Sequence, residues 1–537
     1  MVQFFSKLFK FFRRLCKALF SRTIIIGLGI ILQIVWLWIV LEVLTGVNTV
    51  VYLVTSVTLG VILCLVIVNK DEVAEYKLPW ILVTALFPLL AAVLYFFFGN
   101  TKPSKKFQRR FQSSLQHFEE FFAQNRSVLS QLKAEDPVAA SQAQYVYNSS
   151  KSPLYAGMDT RYFPMGEDMF PVLLQELKKA ERFIFMEYFI IEKGKFFDAI
   201  LEVLTQKVKE GVEVRIMYDD LGCMGKLPMG YAAQLRKAGI HVRVFHPFLP
   251  VISAMHNNRD HRKITVIDNR VAFTGGINLA DEYINQKVRF GTWKDAGILL
   301  KGDIVQSCTL LFLSLWNLYA VKKDQPEKYC SNLKLTQPMP EDTAQNQEHS
   351  PAKEKGYAIF FGDGPNPFDG QQVGKNIYLN ILNSATDYVY ITTPYLVCDN
   401  ELLSALRLTA QRGVDVRLIT PFIPDKRLIQ LITRSHYASL IEAGVKIYEY
   451  TPGFIHAKNF VSDDKFATVS TINLDYRSLT HHFECGVWLY KTPTVAKVKE
   501  DFNKTFAQCT QITLQKVRLN PVQRLVKSVL QLIAPLL

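Results

Sequence analysis

The sequence predicts an α/β fold in two pseudo-symmetric α/β halves with a mostly parallel central sheet, preceded by N-terminal transmembrane helices. Three observations lead there. The pattern His-x-Lys-x4-Asp occurs twice, the segments upstream of it repeat in the same order, and the N-terminal region is built of long apolar runs.

Taken in order, residues 1–22 set Phe4, Phe5, Leu8, Phe9, Phe11, Phe12, Leu15 and Leu19 among Lys7, Lys10, Arg13, Arg14 and Lys17. This is the pattern of a basic amphipathic helix on an anionic headgroup surface. The region 23–99 carries two or three hydrophobic segments, 23–44, 48–68 and 80–98, the last with Pro88 inside it. Each is long enough to cross a hydrocarbon core of ~30 Å. The first is too long for a cleaved signal peptide, and a second follows at once. Basic residues precede the first run and follow the third, at Lys102, Lys105, Lys106, Arg109 and Arg110. Both clusters argue for the cytoplasmic side, which three full crossings cannot satisfy. The expectation is a multi-pass membrane protein with one incomplete crossing and a cytoplasmic soluble region; an odd number of crossings with an external soluble region is the alternative.

A polar, helical connector is expected over 100–141, the first half over 142–330, a linker over 331–355, the second half over 356–517, and an amphipathic tail over 518–537. The linker is rich in Gln, Pro, Glu, Lys and Asn and has no apolar period. The halves declare themselves by repetition. Residues 210–217 (EGVEVRIM) parallel 412–419 (RGVDVRLI), and 238–245 (AGIHVRVF) parallel 443–450 (AGVKIYEY). In each half a helix ends at Gly, a strand of alternating β-branched residues follows, and the pair repeats before the motif. Helices alternating with strands predict α/β units.

The chain has 537 residues, too many for one ordinary domain, and a net charge of +14. Charge alone fits nucleic acid or acidic lipid. The apolar runs favour lipid and argue against a nuclease. The eight cysteines form no Cys-x-x-Cys pair and no cluster of zinc spacing, so neither a disulfide framework nor a metal is expected.

The chemistry lies in the motif. His261, Lys263 and Asp268 form the first copy, and His456, Lys458 and Asp463 the second. Each is followed at the same distance by two small residues and then an Asn: Gly275, Gly276 and Asn278, against Ser470, Thr471 and Asn473. His and Lys two apart on a strand share one face. A phosphodiester is an anionic, poor electrophile, so its cleavage needs charge neutralisation, a nucleophile and a proton donor. Two imidazoles suit a two-step exchange in which one attacks and the other moves protons. Lys263, Lys458, Asn278 and Asn473 are the expected phosphate clamp. A nucleophilic imidazole needs an acceptor on its second nitrogen. Asp295 is expected to orient one His and Glu484 the other. Asp268 and Asp463 complete the motif, although their place at the strand end fits a turn or scaffold role better than direct chemistry. Phe248, Leu249, Val251, Ile252 and Met255 suggest an apolar lip before the first motif. Arg259 and Arg262 suggest contacts to lipid phosphates, with ordinary surface charge as the alternative.

With these residues in view, the chain resembles the phospholipase D superfamily and, within it, the bacterial cardiolipin synthases. The resemblance rests on 258–263 (NRDHRK), 473–478 (NLDYRS), Glu187 and Tyr188, Asp219 and Asp220, Thr393 to Tyr395, the closing APLL, and the apolar hairpin ending at 95–99 (YFFFG). Asp260 stands where Asn is common in the family, and Ser470 replaces a Gly. The resemblance implies that phosphatidylglycerol is attacked, glycerol leaves, and a second phosphatidylglycerol takes the phosphatidyl group from a phosphohistidine. It implies His261 as nucleophile, His456 as acid and base, no metal and no cofactor. The expected partners are phosphatidylglycerol and anionic membrane lipid, with no nucleic acid. A hydrolytic phospholipase D or another phosphatidyltransferase is the nearest alternative, a nuclease or an inactive membrane scaffold a more distant one.

Overall fold

The computed structural model describes residue 35 and residues 47–70, 72–99, 103–247, 257–320, 322–330, 356–365, 372–517 and 521–536. The expected basic helix over 1–22, most of the run 23–44, and the linker 331–355 lie outside the described residues. The chain divides into two compact units, one of residues 1–103, 248–257 and 521–537, the other of residues 104–247 and 258–520.

In the first unit, helix Val47–Val68 has 22 residues and no charged side chain. The expected segment 80–98 is not one helix. Helix Ala74–Leu86 and helix Pro88–Phe98 are separated at Phe87, whose backbone leaves the helical region at φ −142° and ψ 70°. Pro88 is the cause: its ring disfavours the α conformation of the preceding residue and it brings no N–H to the ladder. Helix Pro521–Ile533, the expected tail, packs on Ala74–Leu86. Among the described residues no helix is long and apolar enough to cross a membrane.

The second unit is a pair of mixed sheets packed face to face. The seven-stranded sheet runs Asp159–Phe163, Gly297–Lys301, Val271–Gly275, Lys263–Ile267, Phe183–Tyr188, Glu213–Asp219, His241–Phe245. The nine-stranded sheet runs Tyr155–Ala156, Tyr357–Asp363, Glu484–Tyr490, Phe466–Ser470, Asn459–Ser462, Tyr388–Thr392, Asp415–Pro421, Lys446–Tyr450, Cys509–Ile512. Within these two sheets only the strands joined through helices, 183–188 with 213–219 with 241–245 and 388–392 with 415–421 with 446–450, are parallel; the other pairs in them are antiparallel. The expectation of a mostly parallel sheet is therefore corrected. The reason is local: each motif strand turns back at once through a tight turn, at Asp268 and Asn269 (φ 55° and 56°) and at Asp463 and Asp464 (φ 54° and 55°). Two successive left-handed residues make a hairpin turn, and a hairpin is antiparallel.

Strand periodicity sorts the core into three layers. Alternate residues such as Phe183, Phe185, Ile264 and Val266 of one sheet meet Phe360, Tyr390, Val461 and Val487 of the other, with helices Val305–Trp316 and Pro493–Phe506 sharing that space. The intervening residues, Ile184 and Met186 or Val389 and Ile391, face outer helices. With both faces covered, strands read as unbroken apolar runs. Each fully buried Phe in these layers contributes roughly 1.5–3 kcal/mol.

The connector belongs to this unit. Ser104 caps helix Lys105–Gln116 by accepting from the Phe107 N–H, and Phe107, Phe111 and Leu115, four apart, enter the central layer. Helix Pro137–Ser150, capped by Asp136, packs on the outer face of the nine-stranded sheet, and Tyr155–Ala156 pairs with Tyr357–Ala358. Residues 142–156, expected with the first half, thus pack with the second.

Candidate active site

Register places the two motifs. Lys263 pairs with Tyr188, the last residue of its strand, so His261 and Lys263 sit at the C-terminal end of the parallel strands. Phe460 pairs with Ile391 and the Asn459 N–H donates to Thr392 Oγ1, so His456 and Lys458 occupy the same end in the second half.

The halves are then stitched across each other. Asp260 forms a parallel bridge with Phe483, and Gly453–Ile455 pairs in parallel with Thr292–Lys294. The His261 N–H donates to the Phe483 carbonyl at 2.9 Å, and the His456 N–H to the Lys294 carbonyl at 2.7 Å. A Cβ on Gly453 would stand 2.2 Å from the Thr292 carbonyl oxygen, so the backbones approach this closely only with glycine there. In each pairing the next residue on one chain is a motif His and on the other an acid of the opposite half.

His261 Nδ1 is therefore 2.9 Å from both Glu484 carboxylate oxygens, and His456 Nδ1 is 2.6 Å from Asp295 Oδ2. The two acids expected to orient the imidazoles do meet them, each reaching the His of the other half. Carboxylate acceptors fix the hydrogen on Nδ1 and leave Nε2 as the reactive atom. Lys458 Nζ also lies 2.8 Å from His456 Nδ1, but with that hydrogen given to Asp295, Lys458 donates to the His456 carbonyl instead. Lys263 donates to the His261 carbonyl at 2.6 Å.

All six groups are buried. Burial, then the charges of Lys263, Lys458 and His456, holds His261 well below its ordinary value, and burial with Lys458 and Lys263 does the same to His456. Burial lowers Lys263 to about 8 and Lys458 to about 7, and raises Asp295 to about 6. Burial also raises Glu484. Each imidazole feels the lysine of the opposite half, so the two motifs converge on one site. Two buried ammonium groups are costly without a counter-charge, so the arrangement suits an anionic ligand.

Three expected residues are placed elsewhere. Asp268 accepts from the N–H groups of Glu181, Arg182 and Phe183, each at 2.8 Å, and Asp463 from Thr386, Asp387 and Tyr388 at 2.7–3.0 Å. Both tie the turn at the far end of the motif strand to the start of the neighbouring strand, away from the imidazoles. Asn278 accepts from the Ile190 N–H at 3.0 Å and donates to Tyr283 Oη at 2.8 Å, so its amide is used in positioning. Asn473 keeps a buried Oδ1 without a partner among the described residues. The stretch 248–255, expected as an apolar lip, lies outside the described residues. Arg259 and Arg262 are buried: Arg259 grips Asp219 at 2.6 Å and Arg262 lies 3.8 Å from Glu187, so neither is a surface contact for phosphate.

Sequence reasoning missed four neighbours. Tyr283 sets its ring 5.6 Å from His456, at right angles to it, and Trp293 lies 5.5 Å away. His482 lies 5.4 Å from the His261 ring and 3.6 Å from Glu484. Thr471 donates to Glu484, whereas its counterpart Gly276 leaves the space a Cβ would take, 2.0 Å from Asp295 Oδ1. The signal for His482 was its place two residues before Glu484, in the bend that leads into strand Glu484–Tyr490. Among the described residues, donor atoms of His261, His482 and Glu484 lie within 4.8 Å of one another, close enough for a metal ion; the hydrogen bond of His261 to Glu484 already accounts for that approach.

The family model described as "Cardiolipin synthase, PLD-like domain" matches residues 173–295 and 378–506, which contain all ten expected site residues, and that described as "Phospholipase_D-nuclease N-terminal" matches residues 58–100. An uncharacterized protein of Streptococcus mutans serotype c is 44% identical over 476 residues, covering 88% of this chain and 99% of its own. A cardiolipin synthase of Alkalihalophilus pseudofirmus is 32% identical over 498 residues, covering 92% of this chain and 94% of its own. That of Geobacillus kaustophilus is 32% identical over 489 residues, covering 89% and 92%. Among solved structures, the phosphatidylserine synthase of Haemophilus influenzae Rd KW20 shares the fold, with a TM-score of 0.53 at 14% identity over 75% of this chain and 100% of that one.

Proposed function

The chain belongs to the cardiolipin synthase family, with its phospholipase D-like catalytic domain, and is a phosphatidyltransferase; we propose that it moves a phosphatidyl group from one phosphatidylglycerol to another, giving cardiolipin and glycerol. The observation that carries this reading is the crossed pairing of His261 with Glu484 and His456 with Asp295.

His261 Nε2 attacks phosphorus, and the bond from phosphorus to the glycerol oxygen breaks. His456, protonated once the bound phosphate offsets the lysine charges that hold its imidazole neutral in the free protein, gives its proton to the departing oxygen. A terminal hydroxyl of the second phosphatidylglycerol then passes its proton to His456 and attacks the same phosphorus, the P–N bond breaks, and His261 is restored. The bond lengths support this division of labour. Asp295 is closer to its His, and its charge stabilises an imidazolium. Glu484 spreads its charge over His261 and Thr471, which suits a neutral nucleophile. Lys263, Lys458 and Asn473 steady the phosphate oxygens.

The first unit supports a lipid setting. Val50, Leu53, Val57, Val61 and Leu65 of helix Val47–Val68, with Leu82, Leu86 and Phe96 after it, are exposed apolar side chains. A soluble protein rarely leaves such a patch bare. We place this unit in the cell membrane as a multi-pass anchor, with the catalytic unit on the cytoplasmic side by the basic cluster 102–110. Two lipid substrates held at one surface meet at high local concentration, and a buried pair of imidazoles keeps water from the phosphohistidine.

The test is product analysis of the full-length protein in phosphatidylglycerol vesicles. Cardiolipin with equimolar glycerol supports transfer. Phosphatidic acid with glycerol replaces it with hydrolysis.

A further inference from the structure

The catalytic unit carries its bare apolar side chains at one end. Among the described residues between 104 and 517, nine large apolar side chains are exposed. Two, Val138 and Leu408, lie on outer helices. The other seven lie on loops and on helices Asp220–Cys223 and Arg427–Ser435 at the active-site end. Leu221, Met224 and Met229 follow strand Glu213–Asp219, with Met229 at 96% exposure. Phe422, Leu428 and Leu431 follow the equivalent strand Asp415–Pro421. Val288, 81% exposed, sits in the loop after Tyr283, whose ring touches His456.

Within each half, side-chain contacts tie these segments together. Lys226 bonds Glu192 at 2.6 Å and reaches Glu282 at 3.5 Å; Lys287 bonds Glu192 at 2.9 Å, and Arg289 reaches Glu282 at 3.4 Å. In the second half Tyr395 donates to Asp425 at 2.6 Å, and Lys426 stands 5.2 Å over the Tyr395 ring. Both sets leave the C-terminal ends of parallel strands, where the register also puts His261 and His456. The rim therefore alternates apolar tips with half-exposed cations such as Lys287 and Arg289.

From this geometry we infer that the rim of the catalytic unit docks on an anionic lipid bilayer, its apolar tips entering the headgroup boundary and its lysines and arginines pairing with lipid phosphates. The inference rests on the transfer reading above. Acyl chains stay in the bilayer, so the phosphorus must be met at headgroup level, and apolar tips flanked by cations are the interfacial pattern. Charge complementarity selects the occupant: the substrate lipid is anionic, and a bilayer contacts both halves of the rim at once.

Two measurements on the full-length protein test it. The first compares the parent with Phe422→Ser/Leu431→Ser and with Met229→Ser on phosphatidylglycerol in bilayers and on monomeric short-chain phosphatidylglycerol. Turnover in bilayers should fall about tenfold or more while turnover of the monomeric substrate stays within about twofold, and Val138→Ser/Leu408→Ser should change neither. Equal losses on both substrates, or none on bilayers, overturn the inference, as does a change of oligomeric state in place of a change in lipid dependence. The second reads docking without catalysis. In nanodiscs of phosphatidylglycerol and phosphatidylethanolamine, brominated acyl chains should quench the indole added by Met229→Trp beyond the parent's own quenching. Absence of added quenching overturns it too. A parent that makes no cardiolipin from either substrate sinks the transfer reading instead, and the quenching still reports on the rim.

Discussion

His456 of the second half holds Asp295 of the first at 2.6 Å through Nδ1, and among the described residues neither makes an ion pair within its own half. The candidate site is therefore built by both halves together. Asp295→Asn keeps the size of the side chain and removes its charge, so the imidazolium of His456 loses its support. The expected result is a fall of ~10²–10⁴-fold in kcat with the fold intact, the range of a lost acid–base catalyst. Steady-state cardiolipin formation with a thermal melt checks it; a loss under threefold contradicts it.

The pH profile follows from the buried lysines. Lys458 at about 7 and Lys263 at about 8 lie below the ordinary lysine value because burial disfavours their charge. In the free enzyme both are protonated at low pH and neutral above these values. kcat/KM should therefore fall as pH rises through 7–8. In the same window the unfolded chain binds more protons than the folded one, so stability should rise as activity falls. Initial rates and denaturant unfolding at stepped pH measure both; parallel trends would contradict the assignment.

Asp268 and Asp463 are expected to behave as scaffold. Asp268→Ala strands three backbone N–H groups at the start of strand Phe183–Tyr188. Charge-assisted bonds of this kind make the expected cost about 2–4 kcal/mol of stability. Activity per folded molecule should stay within about threefold. Thermal midpoints with active-site titration separate the two effects; a folded, stable and inactive Asp268→Ala would restore a direct chemical role.

The two asparagines should part company. Asn278→Ala releases Ile190 and Tyr283, so it should lower stability and disturb the packing on His456. Asn473→Ala removes a buried amide whose oxygen has no partner among the described residues, so it should leave stability near parental and weaken phosphate binding. KM and kcat for phosphatidylglycerol, set beside melting data, decide between them.

Much of this was readable in the sequence. The repeat of His261 and Lys263 at His456 and Lys458, and the acids Asp295 and Glu484, are local patterns that spacing exposes. Which acid serves which imidazole was not readable, because the crossing depends on strand Gly453–Ile455 meeting strand Thr292–Lys294, a pairing far apart in the chain. The parallel bias was overestimated since alternation marks a strand without its direction; the hairpin turns at Asp268 and Asp463 carried that signal in their positive φ. The break at Phe87 was foreshadowed by Pro88. Asn278 looked equivalent to Asn473 in sequence, but Tyr283 claims its amide.

We propose that His261 becomes covalently bonded to phosphorus in the course of transfer. It is tested by brief exposure to phosphatidylglycerol labelled at phosphorus, quenched in alkaline denaturant that preserves a P–N bond. Label should appear on the parent protein, be absent from His261→Ala, and persist on His456→Ala when the departing alcohol is replaced by a nitrophenol. Label retained on His261→Ala, or lost from all three while cardiolipin still forms in the parent, would contradict it.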